Sequence, residues 1–408
     1  MLDFLRLAIP IIPTHVRSLD NHHWFNGDIR DFGVPAATRH VSKDDDGKTI
    51  TGELYHPYES LPSDYTDMAM KFYTNTMNAV PYVEIKGSPL KLLQGHNVYG
   101  FECIELASDH MLGMLFEAFP QLLPILDLAK TEVLCLDTTY LFRLPHQSMV
   151  QPALDYMSSL SSGHRKAREV KYQNYISWGN DAASIRPKAY GKFEEVKSQL
   201  NKIQKKADKG CQRSKALVCA MHDVLQFANA ILRLETRITK TYMSKNGIPT
   251  NLFQLIKLQR QQPELLLRLW HVAFDPILKT MEGKYMNFAN DDEILDLFQT
   301  KLVTYTKTGK PSYTKAKNAM KFYSLMRQMG WQKTYKLYNK TTFHDALQHL
   351  IDCGISKSHL QNLHKNPNGK VIPFVRLFEL KMADQLPHDY VQPVSSYSPK
   401  KQGLYLVA

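Results

Sequence analysis

The sequence predicts an α+β protein in which an antiparallel central sheet with flanking helices is followed by a basic, mainly helical region. Strand-like and helix-like segments occur in the order strand, helix, strand, strand, helix, strand, which is typical of an antiparallel α+β domain. Two of the strand-like segments carry an acidic residue within an apolar run. Positive charge is concentrated in the last 123 residues, which contain 17 lysines and arginines against 9 acidic residues.

The individual elements are predicted from hydrophobic periodicity and from turn-forming residues. Short strands are expected at 68–73 and 82–86, and the stretch from about 105 to 129 is expected to be mainly helical. The later elements are a strand at 132–143, a helix at 151–160, strands at 175–179 and 184–192, helices from 193 to 227 with a break at 205–215, a strand at 232–240 and helices from 252. Pro187 weakens the strand at 184–192 because proline lacks the N–H that a sheet requires.

The composition indicates a globular protein that binds a polyanion. The chain has 408 residues, is 43% hydrophobic and has a formal net charge of +12, so nucleic acid is the first expected partner and an anionic membrane surface the second. Its five cysteines contain no C-x-x-C pair, which favours a reducing compartment. Asp3 and Arg6 interrupt the apolar start, which makes it a poor signal peptide. The apolar stretch from Met111 contains acids and prolines, which favours buried helices over a membrane span.

An acidic residue recurs in the same local pattern on two predicted strands, because LCLDT at 134–138 is echoed by LRLET at 232–236. The first strand is apolar on both faces, so Asp137 needs a cation as partner, either an arginine or a metal. Together, Asp137 and Glu235 predict a divalent-metal site. The alternatives are an ion pair between Asp137 and an arginine, and a solvated Glu235 between Arg233 and Arg237.

Recognisable motifs for nucleotide binding or hydrolase chemistry, such as a Walker loop, G-x-G-x-x-G, G-x-S-x-G or H-E-x-x-H, do not occur in the sequence. An enzymatic hypothesis therefore rests on acids, histidines and a tyrosine. In a basic protein, these residue types favour phosphoryl transfer on DNA.

Several segments together resemble the gene II replication initiator family of filamentous phages. These segments are HPYESLPSDY at 56–65, VEIKGSPLKLLQGHNVYG at 83–100, the two acidic strands, GIPTNLF at 247–253 and LIDCGISKSHLQNL at 350–363. The similarity covers nearly the full chain in the same segment order. It implies a rolling-circle-initiator-like nuclease domain that nicks the viral strand at a double-stranded origin, stays joined to the 5′ phosphate through a tyrosine, and later reseals the displaced strand.

For the reaction that this resemblance implies, the predicted nucleophile is Tyr190 in KAYGK. Lys192 lies two residues further on the same strand face, where it could attract phosphate or favour the phenolate. Tyr242 in KTYMSK is the rival nucleophile, with Lys245 three residues further on. The choice between them stays open, since the chain has 21 tyrosines.

The predicted metal ligands are Asp137, Glu235 and His96, which would hold Mg²⁺ or Mn²⁺ at the scissile phosphate. His96 lies in QGHNVYG, where the flanking glycines permit a close approach of backbone or ligand, and a hydrogen-bonded loop histidine is the alternative. His56 is a weaker candidate, because its segment is equally typical of a structural turn. The chain lacks the histidine, hydrophobic, histidine pair of many rolling-circle initiators, so a variant metal site is expected.

A domain boundary is predicted near Met286, which separates a nicking and joining endonuclease domain at 1–285 from a basic DNA-binding domain at 286–408. The resemblance implies that an internal start at Met286 could give the second domain as a separate product. Residues 301–340 contain ten basic and no acidic residues, which favours contacts with phosphates. The predicted DNA-binding residues are Lys307, Lys310, Lys315, Lys317, Lys321, Arg327, Lys333, Lys336 and Lys340. Phe322, Tyr323 and Trp331 are predicted to form the core of this domain.

The expected partners are double-stranded phage origin DNA and the displaced single strand, and the resemblance adds a host replication helicase and polymerase. Neither a membrane nor a small-molecule cofactor is expected, and the expected location is the host bacterial cytoplasm. The alternative function is a non-enzymatic regulator of replication that binds double-stranded DNA and whose acidic residues are structural.

Overall fold

The computed structural model contains an eight-stranded antiparallel sheet in which the candidate residues lie. It describes the chain apart from residues 36, 39–40, 44–48, 52–53, 56–57, 64, 159, 163–164, 167–173, 181, 282–290, 307, 366–379 and 398–408. The strands of this main sheet are β1 (Leu2–Pro10), β2 (Glu59–Pro62), β3 (Asp67–Tyr73), β4 (Tyr82–Gly87), β5 (Glu132–Arg143), β6 (Tyr175–Ser177), β7 (Ile185–Gly191) and β8 (Ile231–Thr239). Their order across the sheet is β6-β7-β8-β5-β1-β4-β3-β2.

Short strands form smaller sheets beside the main one. Val16–Leu19, His22–Phe25 and Asn75–Met77 form a three-stranded sheet. Two-stranded ribbons pair Ala37–Thr38 with Leu54–Tyr55, Val41–Lys43 with Thr49–Thr51, Ser161–Ser162 with Arg165–Lys166, and Thr304–Tyr305 with Pro311–Ser312.

The described helices flank the sheet and then form a separate bundle. They are α1 (Pro89–Gln94), α2 (Ile104–Ala118), α3 (Val150–Ser158), α4 (Phe193–Asp208), α5 (Gln212–Phe227), α6 (Lys240–Lys245), α7 (Leu252–Gln261), α8 (Leu265–Leu278), α9 (Asp291–Leu302), α10 (Thr314–Met329), α11 (Trp331–Leu337), α12 (Lys340–Asp352) and α13 (Lys357–Asn362). Short 3₁₀ segments occur at Pro13–His15, Ile29–Phe32, Pro120–Ile125, Leu128–Lys130, Gln147–Met149, Lys279–Met281, Leu363–Lys365 and Met382–Asp384.

The two faces of the sheet differ in polarity because the strands alternate apolar and polar side chains. On one face, Leu234 of β8 and Tyr140 of β5 are fully buried under α8. Trp270 of α8 packs edge-on against Tyr140 and donates its indole N–H to the backbone oxygen of Leu234 at 2.9 Å. The opposite face carries charged residues and tyrosines, and it is called the polar face below.

The α+β class and most of the predicted elements are confirmed. The strands predicted at 68–73 and 82–86 are β3 and β4, the acidic strands are β5 and β8, and the helices predicted at 193–227 are α4 and α5 with a break at 209–211. The stretch from Met111 forms the end of α2 followed by 3₁₀ turns. In the part of the chain that the structure describes, no helix has the length and apolar character needed to cross a membrane.

The N-terminal segment is a central strand that the sequence analysis did not predict. Residues Leu2–Pro10 form β1, which pairs with β5 on one side and β4 on the other. Leu5, Leu7 and Ile9 are fully buried on one face, while Arg6 points to the polar face. The segment is mostly apolar on both faces, with only Asp3 and Arg6 charged, so its sequence shows no clear period of two.

Helices α9 to α13 enclose a small hydrophobic core of their own. Phe322 and Tyr323 are buried in it and Trp331 packs against it, as predicted from the sequence. The predicted boundary at Met286 lies outside the described residues, so the division into two domains stays a prediction.

The segment 380–397, called the C-terminal segment below, returns from the helical bundle to the main sheet. The amide side chain of Gln385 bonds both backbone groups of Leu141, accepting from its N–H at 2.8 Å and donating to its oxygen at 2.9 Å. Tyr390 contacts the ring of Tyr99, and Tyr397 packs against α2 at Gly113. The C-terminal segment therefore packs on the main sheet and on α2.

Candidate active site

The two predicted acids lie on the polar face of adjacent strands. In the register of β5 and β8, Asp137 is opposite Arg237 and Thr139 is opposite Glu235. Asp137 and Glu235 are therefore diagonal neighbours, a relation that places Cα atoms about 7–8 Å apart. The sequence pattern predicted that the acids come together, and the register brings them to one face.

Tyr190 of β7 is hydrogen-bonded directly to Glu235. The phenol donates to Oε2 of Glu235 at 2.7 Å, and Lys188, two residues earlier on β7, donates to Oε1 at 3.0 Å. This contact arises because β7 pairs with β8 and presents both side chains to the same face. Glu235 is 6% exposed, so these bonds are shielded from competing water.

The electrostatics of this pair define which group holds the proton. Burial alone would raise the pKa of Glu235, but Lys188, Arg233 and the Tyr190 hydroxyl together lower it to about 2. Burial raises the pKa of Tyr190 well above its ordinary value, and Arg233 acts against that rise. At neutral pH the carboxylate is therefore charged and the phenol is protonated.

Arg233 anchors a buried network beside Tyr190. Its guanidinium contacts Asp3 Oδ2 of β1 at 2.8 Å and lies 5.7 Å from the centre of the Tyr190 ring. Asn97 joins the network by donating to Asp3 Oδ1 at 2.7 Å and accepting from Lys192 Nζ at 3.0 Å. These contacts connect β1, the loop after α1, the end of β7 and β8 into one polar cluster.

Lys192 is almost fully buried at 1% exposure. It donates to Glu195 at 2.8 Å, and its ammonium group lies 5.8 Å from the centre of the Tyr190 ring. Burial and the neighbouring Arg233 lower the pKa of Lys192 to about 8. Lys192 lies just beyond β7, at the residue that precedes α4, so the prediction that it shares a strand face with Tyr190 is wrong. The turn between β7 and α4 nevertheless brings its ammonium group near the Tyr190 ring.

Asp137 is paired with Arg237 through two hydrogen bonds of 2.7 Å, one to each carboxylate oxygen. Burial raises the pKa of Asp137, and the two hydrogen bonds from Arg237 oppose that rise by stabilising the carboxylate. The ion pair was the alternative considered for this residue in the sequence. Arg237 also lies over the ring of Phe4, at 4.8 Å from its centre.

His96 is buried in the loop after α1. Gly95 ends α1 in a left-handed conformation (φ +81°), and a Cβ on Gly100 would collide with Leu90, so both glycines serve the loop backbone. The His96 ring accepts the backbone N–H of Val98 at 3.4 Å, and burial lowers its pKa to about 4, with Lys192 adding to the effect. These contacts correspond to a hydrogen-bonded loop histidine.

The predicted metal ligands do not form a complete donor set in this arrangement. Across the described residues, no group of three or more histidine, cysteine, aspartate or glutamate side chains is placed to hold a metal ion. The two carboxylates are already neutralised, Asp137 by Arg237 and Glu235 by Lys188. As arranged, these residues do not fit a divalent cation. His56 lies outside the described residues.

Tyr242, the rival nucleophile, lies on α6 at the end of β8, where its side chain packs against the main hydrophobic core. Thr239 caps that helix by accepting the backbone N–H of Tyr242 at 3.4 Å. Tyr190, by contrast, has its hydroxyl on a carboxylate and cations near its ring. Of the two tyrosines, Tyr190 is the one in contact with the charged residues of the polar face.

In the helical bundle, most of the predicted DNA-binding residues have exposed side chains. The exposed ones are Lys310, Lys315, Lys317, Lys321, Lys333, Lys336 and Lys340. Arg327 is half-buried and forms a bidentate ion pair with Asp291 of α9, with one contact at 2.7 Å. Lys307 lies outside the described residues. Residues 301–340 contain no acidic residue, but Asp291 of α9 compensates the charge of Arg327 from outside that segment.

Sequence reasoning gave no site role to several polar residues around the predicted ones, among them Asp3, Asn97, Lys188 and Arg233. Their signals were local and weak. Lys188 and Arg233 each lie two residues from a predicted site residue on the same strand face. Asp3 was noted only as a charge that interrupts an apolar start, and Asn97 is next to His96.

Residues 1–261 match the sequence model for the N-terminal region of the gene II replication-associated protein, and residues 305–396 match the model for its C-terminal region. The chain therefore belongs to the gene II family of filamentous phage replication-associated proteins.

Individual relatives agree over nearly the whole chain. The replication-associated proteins of Enterobacteria phages fd and f1 are each 31% identical over 412 residues, covering 97% of this chain and 99% of the relative. That of Salmonella phage IKe is 29% identical and covers 98% of both chains. A solved rolling circle replication initiator from Geobacillus stearothermophilus covers 68% of this chain and 96% of its own, at 9% identity and a TM-score of 0.23, which is too low to establish a common fold.

Proposed function

We propose that this protein nicks one strand of the double-stranded phage origin and later rejoins it through a covalent phosphotyrosine intermediate. The observation that carries the proposal is the 2.7 Å hydrogen bond from the Tyr190 phenol to the buried, ionised Glu235. A hydroxyl paired with a carboxylate is the arrangement of a protein nucleophile and its general base. Membership in a replication-associated family supplies the biological setting.

In the proposed nicking step, the Tyr190 oxygen attacks the scissile phosphorus as its proton passes to Glu235. A phosphotyrosine bond to the 5′ phosphate forms and the bond from phosphorus to the 3′ oxygen breaks. The departing 3′ oxygen takes up a proton, so the net transfer is from phenol to 3′ hydroxyl. Rejoining is the reverse, with the 3′ hydroxyl attacking and the phenol leaving.

Glu235 is required in this proposal because burial raises the pKa of Tyr190 and keeps the phenol protonated at neutral pH. Lys188, Arg233 and the Tyr190 hydroxyl lower the pKa of Glu235, so its carboxylate carries no proton at neutral pH. Because this low pKa also makes it a weak base, the proton passes to Glu235 only as the bond from Tyr190 to phosphorus forms. Lys188, Lys192 and Arg233 surround the pair with positive charge. Such fixed cations stabilise the negative charge that develops on the phosphoryl oxygens.

We retain Mg²⁺ or Mn²⁺ as a proposed cofactor, to be tested separately from the tyrosine. A divalent ion would polarise the scissile phosphate. The shared face of Asp137 and Glu235 supports the idea, whereas their pairing with Arg237 and Lys188 opposes it. Nicking that continues in EDTA would exclude an obligatory metal.

The experiment that tests the nucleophile uses supercoiled plasmid carrying the phage origin. Wild type should produce relaxed circles with protein covalently attached, whereas Tyr190→Phe should lose at least about 10³-fold of this activity, because phenylalanine has no nucleophile. Tyr242→Phe is the matched control and should retain the adduct. An adduct that persists in Tyr190→Phe and disappears in Tyr242→Phe would reverse the assignment.

The second candidate function is a non-enzymatic regulator that binds double-stranded DNA. The ion pair of Asp137 with Arg237 favours it, because it gives one acid a purely structural role. This function predicts duplex binding without strand cleavage by wild type in either Mg²⁺ or Mn²⁺. In both functions we propose origin DNA as the partner and the host cytoplasm as the location, and only the first adds the displaced strand and a host helicase and polymerase.

A further inference from the structure

A second cluster of aromatic and basic residues lies at the other end of the polar face. Tyr82 and Lys86 of β4 and Lys71 and Tyr73 of β3 point to this face, since their strand neighbours Val83, Ile85, Met70 and Phe72 are buried on the opposite one. Tyr58 lies just before β2 at the edge of the sheet. The five residues Tyr58, Lys71, Tyr73, Tyr82 and Lys86 are called the tyrosine patch below.

The rings of the tyrosine patch are arranged with cations against them. Tyr73 and Tyr82 are stacked, with centroids 4.6 Å apart and an interplanar angle of 22°. Lys86 lies 3.5 Å from the centre of the Tyr58 ring, and Lys71 lies 4.7 Å from that of Tyr73. The hydroxyls of Tyr58 and Tyr73 are 3.2 Å apart. Aromatic rings with adjoining cations offer both a stacking surface and charge for phosphates.

A buried carboxylate holds the patch together. Glu84 is fully buried and accepts hydrogen bonds from Arg6 at 2.6 Å and from the Tyr58 hydroxyl at 2.7 Å, and Lys86 lies 3.7 Å from it. Its single negative charge is outnumbered by Arg6, Lys71 and Lys86. The surface that solvent reaches is therefore positive and aromatic, and Tyr58 is 45% exposed.

The patch is on the same face of the sheet as Tyr190. Five strand spacings separate β7 from β3, which corresponds to about 24 Å. Between them lie Arg237 of β8 and Arg6 of β1, both facing the same side. A flexible polyanion could thus run across the face from the tyrosine patch to the candidate active site.

We propose that the tyrosine patch binds single-stranded DNA next to the nicked end, by stacking unpaired bases on its tyrosines. Only unpaired bases can present their flat surfaces to rings that lie on a sheet, whereas a duplex keeps its bases stacked on each other. This inference rests on the proposed nicking function, because nicking and strand displacement generate the single strand. Double-stranded DNA would instead bind to the exposed lysines of the helical bundle, which can contact its phosphates.

The test measures binding of a short fluorescent oligothymidylate by fluorescence anisotropy at moderate salt, using the full-length chain. Tyr58→Ala should weaken binding about tenfold, the effect of losing one stacked base. Tyr58→Phe keeps the ring and should bind within about twofold of wild type. Duplex affinity, measured in parallel, should be the same in all three proteins.

A second variant, Lys71→Gln, keeps the experiment decisive if Tyr58→Ala does not fold. It should weaken oligothymidylate binding and reduce its salt dependence, because one phosphate contact is removed. The proposal is overturned if both variants bind the single strand as wild type does, or if single-strand and duplex affinities fall equally.

The plasmid assay separates this inference from the nicking proposal. If wild type forms the covalent adduct and the patch variants bind oligothymidylate normally, only the inference fails. If no adduct forms and the patch variants still lose single-strand affinity, only the nicking proposal fails.

Discussion

Glu235 organises the candidate site at the scale of single residues, because one carboxylate contacts both the phenol of Tyr190 and the ammonium of Lys188. Its position inside an apolar strand was readable from the period-two pattern. Its partners could not be predicted, because they lie on β7 and the register between two strands cannot be read from a single sequence. The same limit applies to Asp137, for which the sequence predicted a cationic partner but not that Arg237 would supply it.

Lys192 is expected to make the folded state more stable as pH rises above about 8. Its folded pKa is about 8, and an unfolded lysine titrates near 10.4. Between these values the unfolded chain holds a proton that the folded chain has released, so the free energy of unfolding increases by about 1.4 kcal/mol per pH unit.

Urea denaturation of wild type and Lys192→Met at several pH values measures this effect. The difference between their free energies of unfolding should shift in favour of wild type across that range. Lys202→Met, at an exposed position of α4, is the control and should show a constant difference. A constant difference for Lys192→Met as well would contradict the lowered pKa.

At the scale of elements, the backbone of β5 is hydrogen-bonded to different partners along its length. Its first part pairs with β1 and most of its length with β8, whereas at Leu141 the side chain of Gln385 takes the place of a neighbouring strand. The strands themselves were predictable from alternation and β-branched or aromatic content. The contact between Gln385 and Leu141 could not be predicted from the sequence, because the two residues are 244 positions apart and no local pattern at Gln385 indicates its partner.

Gln385→Ala is expected to destabilise the protein by about 2 kcal/mol, because it leaves two backbone groups of Leu141 without their hydrogen bonds. The measurement is the urea midpoint at constant m-value. Gln392→Ala is the matched control, as this glutamine is exposed in the same C-terminal segment, and it should change stability by less than about 0.5 kcal/mol. Equal effects of the two substitutions would refute the role of Gln385.

At the scale of the whole molecule, the positive charge is concentrated toward the C-terminal region. Residues 286–408 carry 17 basic and 9 acidic residues, so they supply +8 of the net charge of +12, and this region includes the helical bundle that we propose to contact duplex DNA. Lys317 and Lys321 are one turn apart on α10 and both exposed. Replacing both by glutamine should reduce the slope of log affinity for duplex against log salt by about 1.8, since each phosphate contact contributes about 0.9.

The salt dependence is obtained from duplex titrations of Lys317→Gln/Lys321→Gln at several salt concentrations. Lys202→Gln/Lys205→Gln removes the same charge from the exposed side of α4. The slope of this control should match wild type. If both double variants lower the salt slope equally, the lysines of α10 contribute no more to duplex binding than those of α4.

The two hydrogen bonds between the Gln385 side chain and the Leu141 backbone can form only after the ribosome has synthesised Gln385. A ribosome adding roughly 5–20 residues per second needs about 12–50 s to travel from one to the other. Throughout that interval the edge of β5 at Leu141 has no amide to cover it, so the nascent sheet is incomplete. The main sheet therefore reaches its final hydrogen bonding only after the helical bundle has been translated. A chain truncated before Gln385 would leave the backbone of Leu141 without these two hydrogen bonds.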